Sequence, residues 1–268
     1  MLWLQILLLA VIQGITEFLP VSSSGHVIVG ASLFDQFGVA IPDKLSVNIV
    51  LHVGSLAAIL VFFRQRILAL LGQDRRVIGL LVVASLPAVA VGLLLKVSPM
   101  GDAIEAALES PLVAGLMFPI TAGLLLWAAR REEGTLACRD LSYGRALMIG
   151  LLQAFAVLPG VSRSGSTIAA GLGCRLRRDE AAVFSFLLAI PAIGGGGLLE
   201  VLGFLRHGGG ETPLSLLAAS GLVSFFVSLF ALWWLLRWLR QGRLALFACY
   251  LIPLGVAVVL WQAVSMLR

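Results

Sequence analysis

The sequence predicts an all-α polytopic membrane protein in which six full transmembrane helices and two re-entrant helical hairpins form an inverted-topology repeat. Three observations carry this reading: the bulk composition, a series of long apolar runs separated by arginine clusters, and a polar hexapeptide that occurs twice. The copies are V-S-S-S-G-H at 21–26 and V-S-R-S-G-S at 161–166. With 60% hydrophobic and 12% charged residues and a mean hydropathy of +1.03, the composition lies far from globular averages and fits an integral membrane protein. The formal charge of +5 comes from short arginine clusters between apolar runs. That pattern reports topology and argues against nucleic acid as a partner. Cys138, Cys174 and Cys249 have neither C-x-x-C nor metal spacing and read as free thiols. The opening M-L-W-L-Q lacks a basic region, and Gln13 and Glu17 interrupt the apolar run behind it, so no cleaved signal peptide is expected.

Apolar runs of roughly 18 or more residues fall at about 45–63, 77–96, 111–129, 180–205, 213–237 and 243–267. Segments 2–34 and 145–175 are also apolar, but the hexapeptides and Pro20 or Pro159-Gly160 break them near their centres. Each therefore reads as a re-entrant pair of short helices.

The arginine clusters orient the path. Arg64, Arg66, Arg75 and Arg76 lie between the first two spans; Arg130, Arg131, Arg139 and Arg145 follow the third; Arg175, Arg177 and Arg178 precede the fourth; and Arg237, Arg240 and Arg243 join the last two. All belong on the cytoplasmic side by the positive-inside rule. The joints at 97–110 and 206–212, with Lys96, Asp102, Glu105, Glu109, Arg206 and Glu211, are poor in basic residues and belong outside. Both termini then lie outside, 2–34 dips in from outside, and 145–175 dips in from the cytoplasm.

The chain reads as a single integral membrane domain, 1–268, with repeat halves of about 1–130 and 141–268. Aligning 11–30 with 151–170 pairs Gln13 with Gln153, Val21 with Val161, Ser22 with Ser162, Ser24 with Ser164, Gly25 with Gly165 and Ile28 with Ile168. One hairpin and three spans per half invert the second half relative to the first, as in many transport folds, and let the two hexapeptides meet.

In each copy hydroxyl residues precede a glycine and then an apolar helix. Ser24 or Ser164 is placed to cap a helix whose free N–H groups and dipole attract an anion. Arg163 adds a bidentate donor suited to phosphate, and a structural arginine without a partner at membrane depth would be costly. Gln13 and Glu17 are four apart and share a helical face beneath the first break. That face suits a divalent cation bridging to phosphate oxygens, with Glu17 as the carboxylate and Gln13 as a carbonyl ligand; the plainer reading of Glu17 is a structural partner for Arg163. His26 reads as a general acid toward a leaving group or as a helper of a serine nucleophile.

E-F-L-P-V-S-S-S-G-H (17–26) and P-G-V-S-R-S-G-S-T (159–167) resemble the two signature motifs of the undecaprenyl-pyrophosphate phosphatase family, the bacitracin-resistance type. The resemblance covers nearly the whole chain. It implies a membrane hydrolase that converts a long-chain polyprenyl diphosphate to the monophosphate and inorganic phosphate, recycling the lipid carrier of peptidoglycan synthesis. It further implies residence in the bacterial cytoplasmic (inner) membrane, a pocket open to the outer, periplasmic face, and use of Mg²⁺ or Ca²⁺. The family's acidic pair falls on Gln13 and Glu17, the first being an amide here. Its serine and histidine fall on Ser23 and His26, and its phosphate-gripping groups on Arg163, Ser162, Ser164 and Thr167. Ser22, Ser24, Gly25 and Gly165 complete the expected substrate-binding tips.

Two other readings compete. A phosphatidic-acid-type phosphatase also uses S-G-H but needs a histidine soon after S-R, and none follows Ser162-Arg163 before His207. A lipid-phosphate transporter or flippase would share the inverted-repeat architecture. Partners are the polyprenyl diphosphate and the bilayer, and a homodimer is compatible with a sequence that fixes no oligomeric state. Asn48 and His52, one helical turn apart on the first full span, read as a polar stripe holding spans together, with a place in the pocket lining as the alternative. Gly194–Gly197 read as a close-packing or hinge site, and Trp127, Trp233, Trp234 and Trp238 as an interfacial belt.

Overall fold

Six helices long and apolar enough to cross a bilayer cover Leu45–Phe62, Arg75–Val97, Pro111–Ala129, Arg178–Gly197, Leu214–Arg240 and Ala245–Met266. They coincide with the six apolar runs to within a few residues when the fourth is taken over its whole helix, Arg178–His207. The computed structural model describes residues 2–36, 44–99, 101–207 and 212–266, the side chains of 44, 102, 105, 106, 198–200 and 202–207 excepted. In chain order the helices are α1 (Leu2–Thr16), α2 (Ser23–Gln36), α3 (Lys44–Phe62), α4 (Arg64–Leu70), α5 (Arg75–Val97), α6 (Gly101–Leu108), α7 (Pro111–Ala129), α8 (Tyr143–Phe155), α9 (Arg163–Gly173), α10 (Arg178–His207), α11 (Leu214–Arg240) and α12 (Ala245–Met266). The short α4 and α6 occupy joints that the sequence left as connections. Of the 206–212 joint, residues 208–211 lie outside the described ones.

Local chemistry sets several boundaries. Pro111 begins α7 behind an extended Ser110, where its missing N–H costs nothing. Gly242 ends α11 at φ 71°. The two broken segments give α1 and α2 around residues 17–22, and α8 and α9 around 156–162. Each pair packs on itself. Their lengths of 15, 14, 13 and 11 residues fall short of the roughly 20 needed to span.

Packing pairs the halves. α7 lies along α12, α3 packs on both α10 and α11, α1 packs on α11, and α8 packs on α5. Small residues permit the close approaches: the Gly54 backbone meets the Gly221 carbonyl, and that of Gly150 meets the Ala84 carbonyl, leaving no room for a Cβ. Ser55, Ser224 and Ser228 tie α3 to α11. Ser55 and Ser224 Oγ are 3.1 Å apart, and Ser228 donates to Ser55 at 3.2 Å. This serine stripe joins the two helices. Large apolar side chains such as Leu94, Leu222 and Phe226 face outward.

The arginine clusters gather on one side. Arg66 donates to Glu180 at 2.8 Å, Arg76 donates to the Arg139 and Leu141 carbonyls at 2.8 and 3.0 Å, and Arg178 lies 4.0 Å from Glu133 and beside Gly242. Guanidinium groups also cover belt tryptophans, with Arg131 4.4 Å above the Trp127 ring. The glycine run departs from the close-packing expectation: a Cβ on Gly195, Gly196 or Gly197 would meet nothing within 4 Å, so that stretch faces open space.

Candidate active site

α1 ends at Thr16, and the chain turns through Glu17–Ser22 before α2 begins at Ser23. Ser22 makes that turn in the left-handed region, at φ 71°, a conformation that costs a non-glycine residue roughly 1–2 kcal/mol. Its neighbours hold it there. The Ser22 Oγ accepts the Gly160 N–H at 3.1 Å and the Gly25 N–H at 3.4 Å, and its carbonyl accepts from His26 Nδ1 at 2.7 Å. The second break is fixed reciprocally. Gly160 adopts φ +92° tight against the Ala114 carbonyl, where a Cβ would collide. Thr121 Oγ1 donates to the Gly160 carbonyl at 2.8 Å and accepts the Ser162 N–H at 3.0 Å. Ser164 Oγ donates across to the Leu19 carbonyl at 3.2 Å. The two hexapeptides therefore meet.

Their meeting point holds a carboxylate and a guanidinium. Glu17 Oε1 pairs with Arg163 Nη2, while Glu17 Oε2 accepts from Ser23 Oγ at 2.6 Å and from Gln13 Nε2 at 3.0 Å. Side-chain exposure is only 6% at Glu17 and 16% at Arg163, so the pair lies where charge interactions are weakly screened. Arg163 Nη1 is buried with no hydrogen-bond partner among the described residues. A guanidinium nitrogen with unused donors suits an anionic oxygen.

The structure separates the expected site residues into three groups. Gln13, Glu17, Ser23 and Arg163 come together. Ser22, Ser162, Ser164 and Thr167 surround them, but their hydroxyls are spent on the scaffold. Ser162 caps α9 by accepting the Gly165 N–H at 3.0 Å, and Thr167 donates to the Arg163 carbonyl at 2.8 Å and lies 2.6 Å from Ser185 Oγ. The caps are thus Ser22 and Ser162, not Ser24 and Ser164. Gly25 and Gly165 are buried against Phe118 and Pro20, and Ser24 is exposed.

His26 stands apart. Its Nδ1–H donates to the Ser22 carbonyl, which leaves Nε2 to bond the Tyr250 hydroxyl at 2.8 Å, with the rings stacked. The expectation that His26 assists Ser23 meets a different arrangement: the ring is tied back along its own helical turn, and Glu17 is the group in contact with Ser23. Tyr250, on the last helix, carried no sequence signal linking it to the site. His52 did carry a weak one. Its Nδ1 is tied to the Asn48 carbonyl at 2.9 Å, and its Nε2 faces Glu17 Oε2 at 4.0 Å.

A divalent cation can be tested against this donor set. Among the described residues no three His, Cys, Asp or Glu side chains cluster as a metal centre. The Gln13 amide is nevertheless 3.0 Å from Glu17 Oε2, and turning it end for end puts its oxygen beside that carboxylate. One carboxylate and one amide oxygen suit a cation that takes its other ligands from phosphate and water, as Mg²⁺ commonly does.

Comparison with known proteins gives the family. Residues 6–257 match the family model described as bacitracin resistance protein BacA. A protein of Rhodopirellula baltica named undecaprenyl-diphosphatase is 45% identical over 96% of this chain and 97% of its own length. One of Desulfatibacillum aliphaticivorans with the same name is 41% identical over 96% and 97%. A third, undecaprenyl-diphosphatase 3 of Bacillus cereus, is 34% identical over 97% of each. The chain belongs to the BacA family.

Proposed function

We propose that this BacA-family chain is an undecaprenyl-diphosphate phosphatase that releases inorganic phosphate and returns the lipid monophosphate to cell-wall synthesis. The observation that carries the reading is the contact of Ser23 with Glu17 beside the open, buried Nη1 of Arg163. Nucleophile, base and anion grip lie within one shell of contacts, the geometry that acyl- and phosphoryl-transfer sites require.

In this mechanism Arg163 receives the terminal phosphate, and Glu17 holds the guanidinium in position from its other edge. Ser23 Oγ attacks the terminal phosphorus while its proton passes to Glu17 Oε2. The bond from phosphorus to the bridging oxygen breaks, and the lipid monophosphate leaves with that oxygen. Glu17 gives that proton to the departing lipid monophosphate, takes another from the water that attacks the phosphoserine, and returns it to Ser23 Oγ as inorganic phosphate leaves. Charge developing on the equatorial oxygens is met by Arg163, the main source of rate in a reaction with little covalent work for the protein. Glu17 and Gln13 are the residues that would hold a Mg²⁺ or Ca²⁺, which supplies further charge neutralisation on the phosphate.

The same reading makes α1–α2 and α8–α9 re-entrant hairpins of an inverted repeat. It places the arginine side in the cytoplasm and opens the site to the periplasmic face of the inner membrane. The exchange of contacts between halves, α1 on α11 and α8 on α5, supports it, as does the shortness of the four hairpin helices. A transporter with the same architecture would need no Ser23–Glu17 contact.

The test is phosphate release from undecaprenyl diphosphate by detergent-purified protein, where no compartment exists for transport to act on. Release of one phosphate per lipid is expected. Failure to release any from a folded sample would return the reading to transport.

A further inference from the structure

We propose that a cavity among the clustered arginines, distinct from the active site, binds the phosphate headgroup of an anionic membrane lipid. The cavity measures ≈ 240 Å³ and lies where α4, the 131–142 connection and the start of α10 meet. Arg66, Arg139 and Arg177 line it, against two acids, Asp74 and Glu180. Glu180 is its organising group. With its side chain 3% exposed, it accepts from Arg66 Nη2 at 2.8 Å and from the Cys138 N–H at 2.7 Å, and it lies 3.6 Å from Arg177 Nη2. The buried carboxylate is thereby saturated by donors from three segments. The guanidinium groups it gathers remain about half exposed, at 45% for Arg66 and 47% for Arg177. Arg139 adds a third, exposed, whose side chain has no protein partner among the described residues.

Each guanidinium offers five N–H donors in a planar fork, so after the Glu180 contacts and the 3.5 Å approach of Arg177 Nε to Asp179 this cluster keeps donors for an anion. The remaining lining includes Leu70, Val77 and Val183, so the anion site adjoins aliphatic surface. A free phosphate uses only the first half of that environment, whereas a lipid headgroup uses both. Basic pockets between transmembrane helices on the arginine-rich side are where anionic headgroups bind. The volume fits a headgroup with its tails left in the bilayer.

The cavity is not an annex of the active site. Phe18, next to Glu17, packs edge-on against Phe186 at 5.6 Å, and Phe186 stacks on Phe63 at 5.6 Å. Leu187, the neighbour of Phe186, already lines the cavity. An aromatic wall therefore stands between the two. Cys138 contributes only its backbone, because burial and the nearby Glu180 push its thiol pKa well above the usual range and keep it protonated.

The test follows the thermal unfolding midpoint of the purified protein in neutral detergent. It is titrated with phosphatidylglycerol, with phosphatidylcholine and with inorganic phosphate, for wild type, Arg139→Gln and Arg177→Gln. Phosphatidylglycerol is expected to raise the wild-type midpoint in a salt-sensitive way, phosphatidylcholine to leave it unchanged, and phosphate to raise it less. Both variants are expected to lose most of the shift while keeping wild-type phosphate release. An equal shift from phosphatidylcholine, an undiminished shift in the variants, or inorganic phosphate reproducing the whole effect would each overturn the assignment. The Arg139 side chain has no partner among the described residues, so its variant tests the site without disturbing the Glu180 network.

Discussion

Ser23 Oγ donates to Glu17 Oε2 at 2.6 Å, while the other oxygen of the same carboxylate holds Arg163. One side chain therefore touches both the serine proposed as nucleophile in the first hexapeptide and the arginine proposed as phosphate grip in the second. Neither half of the chain can build this site alone.

Ser22 and Ser24 flank Ser23 but are predicted to behave differently from it and from each other. Ser22→Ala removes the acceptor for the buried Gly160 N–H, which costs about 1–3 kcal/mol, and a lower thermal midpoint is expected. Ser24 is exposed, so Ser24→Ala should leave midpoint and phosphate release near wild type. Equal effects on both measurements would contradict the different roles assigned to the two hydroxyls.

Gln13→Glu places a second carboxylate against Glu17 Oε2, where the amide now donates at 3.0 Å. Like charges at that distance demand a counter-ion. Activity against Mg²⁺ or Ca²⁺ concentration should half-saturate at lower metal, and activity in EDTA should fall below that of wild type. An unmoved metal curve would remove Gln13 from any cation site.

Arg163→Lys keeps the charge and loses the fork. Lysine cannot hold Glu17 with one edge and phosphate with the other, so phosphate release should fall by at least about tenfold, or 1.4 kcal/mol, in a protein that still elutes as a folded species. Wild-type turnover would show that charge alone suffices.

The inverted arrangement makes a labelling prediction. In a background lacking Cys138, Cys174 and Cys249, a cysteine at Glu109 should react in intact cells with a membrane-impermeant thiol reagent, while one at Gln73 should react only after permeabilisation. The opposite pattern would invert the proposed topology.

The spans and breaks were legible because the cost of burying backbone and charge in lipid leaves a long, nearly one-dimensional signal. Leu214–Arg240 and Ala245–Met266 could hardly be read otherwise. Glu17 and Arg163 were legible as charges where charge is expensive. What was hidden depends on contacts across the chain. Nothing in S-S-S-G-H says which serine faces Glu17; the left-handed Ser22 decides it, and that conformation is held by Gly160, 138 residues away. His26 was read from its motif, but its ring direction is set by a carbonyl one turn back and by Tyr250, 224 residues on. His52 reads in sequence as a helix joiner or a pocket residue, and only the fold decides, because its partner, Glu17, lies on a different element. The close-packing half of the glycine-run reading fails at Gly195–Gly197 because glycine permits close packing without requiring it.

The central claim is that Glu17 and Ser23 act as one catalytic unit. It is tested most directly by steady-state phosphate release from undecaprenyl diphosphate for wild type, Glu17→Gln, Ser23→Ala and the double variant, each shown to be folded by detergent size-exclusion. Groups that act as a unit show strongly non-additive losses. Each single variant is predicted to lose about 10²–10⁴ in kcat, and the double variant to be no slower than the worse single. Losses that multiply in the double variant, or a Ser23→Ala protein that turns over like wild type, would contradict the account.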